Sequence, residues 1–179
     1  RELMSVLKRA AFAALLSLGS AHAYAHVTLE KPEATVGAPY KGVLRVPHGC
    51  GQQATQALRI NLPPELVAVK PMPKAGWTLE TKSGPYPLPF NNHGHEMREG
   101  VREIFWSGGH LADAHYDEFV FVGTIAPSAT QDKLTVSVTQ ICASAQEVWT
   151  PALQLIKQQA KAQPQTYTAG DLTISGAWT

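Results

Sequence analysis

Proline and glycine interrupt this chain so often that no helical period develops before residue 150. There are 13 prolines and 14 glycines, and between them lie short runs in which apolar and polar residues alternate. Alternation of this kind puts apolar side chains on one face of a strand and polar ones on the other. Val27 and Leu29 alternate with His26, Thr28 and Glu30 in the first run. Val43, Leu44 and Val46 make a second, ended by Pro47, and residues 57–62 a third, ended by Pro63-Pro64. Residues 66–69, 77–80 and 101–106 follow, the last closed by Ser107-Gly108-Gly109. Residues 119–122 and 134–138 complete the set. Short strands punctuated by turns predict an all-β, antiparallel sandwich rather than alternating strands and helices.

Three stretches fall outside that pattern. Residues 83–100 are rich in Gly, Pro, Asn and His without an apolar period, which predicts a long surface loop. Residues 152–162 predict either one amphipathic helix or a linker. Residues 171–179 alternate like a strand and end on Trp178-Thr179.

The amino-terminal region reads as a secretory signal. Lys8-Arg9 supplies a positive start, residues 10–18 an apolar centre, and Ala23-Tyr24-Ala25 a small-residue cleavage site. That apolar centre is too short for a permanent membrane span. Cleavage after Ala25 makes His26 the first residue of an exported, periplasmic or extracellular protein. A competing site at Ala21-His22-Ala23 leaves Tyr24 first. A terminal histidine can close a chelate ring through its α-amino group and its imidazole Nδ1. An α-amino group titrates near neutrality, so it yields its proton to a metal at small cost. Two nitrogen donors suit Cu(II), which takes tetragonal nitrogen and oxygen sites. The plainer alternative is that His26 is the exposed start of a strand.

A net charge of +1, without clustered Lys and Arg, argues against a nucleic-acid surface. Cys50 and Cys142, the two cysteines, are expected to pair in an oxidising compartment, with paired thiolate ligands for Cu(I) as the alternative.

Several residues can complete a metal site. Glu118 precedes the run 119–122 and lies, in strand register, on the face opposite Phe119 and Phe121. Taken alone it is a solvated acid at a strand end. Trp149 follows Cys142 by seven positions, so a disulfide ties it to the early strands. An indole beside a metal can exclude water, although a tryptophan there also serves as plain core. His93-Gly94-His95-Glu96-Met97 has the composition of a weak copper contact. His110 and His115 flank the turn before Glu118, and His48 beside Cys50 reads as a turn residue. No nucleophile elbow, phosphate-binding glycine loop or zinc-protease helix is present, so an enzyme is not expected. A copper oxygenase remains the alternative if His110 or His115 supplies a second imidazole.

The order of these pieces resembles the YcnI family of exported bacterial copper-binding proteins, from His26 to about Pro151. The resemblance rests on His26-Val27-Thr28, on Val46-Pro47-His48-Gly49-Cys50-Gly51 with Ala54-Thr55, and on Pro71-Met72-Pro73 with Gly76-Trp77. It continues through Trp106-Ser107-Gly108-Gly109, Tyr116-Asp117-Glu118-Phe119 and Gln140-Ile141-Cys142 to Trp149. It implies an immunoglobulin-like β-sandwich holding one Cu(II) in a single-histidine brace. The brace roles fall on His26 for nitrogen, Glu118 for oxygen and Trp149 for the indole beside the metal, with Asp117 the rival carboxylate. The cysteines are not shared throughout the family and stay structural.

Residues 172–178 resemble the first strand of a PCuAC-type copper chaperone domain, which some YcnI-like proteins carry downstream. The expected organisation is therefore a signal at 1–25, a copper-binding sandwich at 26–154, and a linker with the start of a second domain at 155–179. The expected function is copper capture, storage or transfer, with a copper chaperone domain or a membrane copper transporter as partner. The alternatives are a copper-dependent oxidative enzyme and a sandwich that binds a protein without metal.

Overall fold

The computed structural model describes residues 26–158 and the backbone of residues 167–169 and 172–174. The signal expected at 1–25 and most of the expected linker lie outside the described residues. Strands are numbered in chain order. One sheet is ordered β1 (Thr28–Leu29), β3 (Pro39–Val46), β8 (Asp117–Ile125) and β5 (Leu66–Pro71). The second is ordered β11 (Gln146–Trp149), β10 (Ser137–Cys142), β4 (Thr55–Asn61), β7 (His95–Ser107) and β6 (Thr78–Asn92). All pairings within these two sheets are antiparallel. A small third sheet joins β2 (Glu33–Thr35), β12 (Ala152–Ile156) and β9 (Lys133–Thr135), with β2 and β12 parallel. Farther on, β13 (Tyr167–Ala169) pairs antiparallel with β14 (Leu172–Ile174). The described residues are all-β and form an antiparallel sandwich, as the alternating runs predict, of the immunoglobulin-like kind that the family resemblance implies.

The inward phases of the two main sheets form one core. Leu44, Val46, Phe119 and Phe121 come from the first sheet, and Leu58, Ile60, Ile104, Trp106 and Val138 from the second. Each such side chain contributes roughly 1.5–3 kcal/mol by leaving water. Edge-on ring contacts run from Trp77 to Phe119 at 5.0 Å and from Phe119 to Trp106 at 5.4 Å, so aromatics of both sheets interlock. The buried indole of Trp106 is satisfied by donating to the Met72 carbonyl at 3.1 Å. Phe121 reaches across β3 because its register partner is Gly42; a Cβ there would stand 2.2 Å from the Phe121 ring. Arg102 ties the sheets at one end, its guanidinium donating to the carbonyls of Leu62, Pro63 and Leu66. Burial lowers its pKa, with Tyr86 and Glu65 opposing.

Three expectations are corrected. Residues 83–100 are not a loop: β6 and β7 continue through them as a hairpin, from Ser83↔Val101 to Asn92↔His95, with residues between Pro85 and Phe90 bulged. Its turn is His93-Gly94, with φ of 51° and 86°, the left-handed pair that a two-residue hairpin turn demands. Residues 152–156 are neither helix nor linker but β12, so the strand runs two residues past the boundary expected at 154. Its buried residues, Leu153 and Leu155, follow period two. Residues 134–138 are not one strand. They split at the buried Val136, whose N–H donates to the Pro151 carbonyl, and the chain passes from the third sheet into the second.

Tyr40 is buried on β3 and donates to the Lys31 carbonyl at 2.8 Å, and burial pushes its pKa up to about 12 from 10.0. The unfolded chain ionises this phenol first as pH rises, so the stability it supplies is complete below pH 10 and is lost on the way to about 12. The stability advantage of the wild type over Tyr40→Phe should therefore shrink by about 1 kcal/mol between pH 9 and 11. Urea denaturation at each pH measures it, and a constant gap would refute the assignment.

Candidate metal site

β1 is two residues long, yet it is firmly seated. Val27 and Leu29 are 3% and 6% exposed, so the alternation turns His26, Thr28 and Glu30 outward. Thr28 faces Arg45 and Leu29 faces Leu44 on β3. At the edge of the other sheet, Trp149 ends β11 opposite Val138 of β10. These two sheet edges meet at His26 and Trp149, whose rings stand 5.0 Å apart, edge to face, with planes at 70°. Between the edges lies a groove of about 410 Å³, lined by His26, Leu29, Pro32, Trp149 and Pro151 among others.

Trp149 is partly buried and fixed by polar contacts as well as packing. Its Nε1–H donates to Gln140 Oε1 at 2.8 Å. The same amide donates from Nε2 to the His48 carbonyl and to Thr55 Oγ1, both at 2.7 Å. The His48 ring stands 6.3 Å from the Trp149 ring, again edge-on, and its Nδ1 lies against the Gly49 carbonyl. The turn holding His48 is tight: a Cβ on Gly49 would stand 1.7 Å from the Gln53 carbonyl oxygen. Gly49 N–H donates to Asp113 Oδ1 at 2.9 Å, and Cys50 is bridged to Cys142 with Cα atoms 6.1 Å apart. The expected disulfide is present.

The carboxylates sit elsewhere on the first sheet. Glu118 of β8 is opposite Arg45 of β3, as its predicted strand face requires. Arg45 lies between two acids, with Nη2 2.8 Å from Glu30 Oε1 and Nε 3.4 Å from Glu118 Oε1. Asp117 is taken by Lys74 Nζ at 2.6 Å. Neither acid lines the His26–Trp149 groove. The groove therefore unites His26 with Trp149, and Glu118 stands on the second strand along, paired with a cation. His110 and His115 are exposed. In the hairpin, His93 forms the turn, His95 is exposed, and Met97 packs against the small apolar cluster of Val67, Tyr86, Phe90 and Ala126. Among the described residues no three His, Cys, Asp or Glu side chains form a metal-holding group. A terminal histidine differs from such a cluster because it brings two nitrogens by itself. With a free amine at His26, the pair His26 and Trp149 would fit a compact nitrogen site covered by an indole.

Sequence reasoning missed His48 and Gln140 as parts of this site. Gln140 did leave a signal: it occupies the inward phase of β10, where Val138 and Cys142 are apolar.

Residues 26–171 match a family described as a domain of unknown function, DUF1775. The chain belongs to the DUF1775 family. The DUF1775 match begins at His26 and takes in every strand through β13. No curated protein matches this DUF1775 chain. Among solved structures it is similar to an uncharacterized protein from Nocardia farcinica with an immunoglobulin-like fold. That match has a TM-score of 0.55 and 20% identity, over 73% of this chain and 97% of that one. A cohesin of scaffoldin B from Acetivibrio cellulolyticus matches more remotely, with a TM-score of 0.41 and 10% identity over 73% of this chain and 98% of that one. At such identities the likeness establishes the fold of the DUF1775 domain alone.

Proposed function

We propose that this DUF1775 domain is an exported copper-binding protein that captures, stores or hands over one Cu(II) at His26. The observation that carries the reading is the contact between His26 and Trp149 at the mouth of a groove, with His26 also the first residue of the family match. After cleavage at Ala25, His26 offers its α-amine and Nδ1, and Trp149 screens one side from water. Glu118 is the oxygen donor on this reading. To serve, it has to leave Arg45, which keeps Glu30 as a partner. Exposed ion pairs of this kind are worth little, so the exchange costs about 1 kcal/mol or less. Copper is cargo here, and no turnover is implied. A copper chaperone domain or a membrane copper transporter is the corresponding partner.

Titration of Cu(II) into protein beginning at His26, followed by EPR, tests the reading. One copper per chain with nitrogen hyperfine structure is the expected result, and no binding would overturn it. Glu118→Gln should weaken binding roughly tenfold, about 1.4 kcal/mol, and change the EPR parameters. An unchanged spectrum would remove Glu118 from the site while leaving His26 in it.

A further inference from the structure

Thr55 and Gln140 are the buried polar residues of the described core, 0% and 1% exposed. A buried amide is costly unless all its groups find partners. Gln140 finds partners on three separate elements: His48 on the connection after β3, Thr55 on β4, and Trp149 on β11. An indole N–H only donates and a peptide carbonyl only accepts, so the two ends of the amide are not interchangeable here. Exchanging them would set N–H against N–H at Trp149 and oxygen against oxygen at His48. The amide therefore defines one orientation for the indole that meets His26 at 5.0 Å.

We propose that Gln140 is a positioning residue of the copper site, acting through Trp149 by holding its indole against His26. This inference rests on the copper reading above. A glutamine that merely satisfied the core would influence stability but not copper affinity through one particular indole. The two roles therefore separate experimentally.

The test uses Gln140→Met, Trp149→Phe and the double variant, each beginning at His26. In the metal-free protein, the indole N–H resonance lost in Trp149→Phe identifies Trp149. In Gln140→Met that resonance should shift and exchange faster with water; an unmoved resonance overturns the proposal. Cu(II) affinity should fall roughly tenfold in Gln140→Met, the usual scale for outer partners of a metal site. It should fall no further when Gln140→Met is added to Trp149→Phe. Equal losses in both backgrounds would mean that Gln140 acts independently of Trp149, and the proposal fails. If Gln140→Met does not fold, Thr55→Val removes one of the three partners and should move both readouts in the same direction; movement of neither overturns the proposal. If the wild type binds no copper, the copper reading fails and this role for Gln140 fails with it. The metal-free resonance then still reports separately whether the amide holds the indole.

Discussion

Protein carrying a Gly-Ser-Gly-Ser extension ahead of His26 should bind Cu(II) more than ~100-fold more weakly than protein beginning at His26, about 2.7 kcal/mol. The extension turns the α-amine into a peptide nitrogen and destroys the chelate, leaving one imidazole. A shorter extension is a poor control, because a residue or two ahead of histidine builds a new amine, amide and imidazole chelate. The fold should not respond. His26 is exposed, and the side chains that seat β1 are Val27 and Leu29. No group of three His, Cys, Asp or Glu side chains stands ready among the described residues to take over. Binding by the free-amine protein should also weaken in acid, because both nitrogens must lose protons before they can donate. Circular dichroism confirms the fold, and competition titration measures the affinity. Equal affinity in the two preparations would move the metal to an internal site and refute the terminal chelate.

Replacing Cys50 and Cys142 together by Ala should destabilise the domain by about 4 kcal/mol, with a fall in Tm of about 10 °C. The bridge closes a separation of 92 residues, and chain entropy makes long closures the most stabilising. It fastens the turn after β3 to the end of β10, joining the two sheets. Both sulfurs are buried, so Ala leaves only a small space behind. Denaturant melts of the variant and of reduced wild type should agree. A loss under about 1 kcal/mol would show that the open chain is already restrained by other contacts. Copper stoichiometry should stay at one per chain, whereas its loss with the fold intact would show that the bridge also supports the metal site.

The sandwich was legible wherever one face of a strand is dry. Residues 57–62 and 119–122 alternate because β4 and β8 turn one side to the core and the other outward. The outer half of the β6–β7 hairpin was not legible, because it pairs mainly with itself and buries little beyond Tyr86 and Phe90. Prolines 85, 87 and 89 hid it further, and only His93-Gly94 betrayed the turn. The break at Val136 left no mark either. Val136 is buried like its neighbours in phase, and alternation says which side is dry but not which sheet a strand joins. At the candidate site, the outward face of Glu118 followed from register, whereas its ion pair with Arg45 did not. The meeting of His26 with Trp149 came from family resemblance rather than spacing. It depends on two sheet edges closing together, a relation between residues far apart in the chain.

β1 has a consequence for the lifetime of the molecule. Val27 and Leu29 anchor the first strand, and His26 hangs immediately outside that anchor. In protein beginning at His26, an aminopeptidase removing a single residue would leave every buried contact of the strand in place and delete both proposed nitrogen donors at once. On the proposed reading, the trimmed molecule would fold like its parent while lacking the copper chelate. Abundance measured by antibody or mass would then overstate active protein, and only the identity of the first residue would tell the two populations apart.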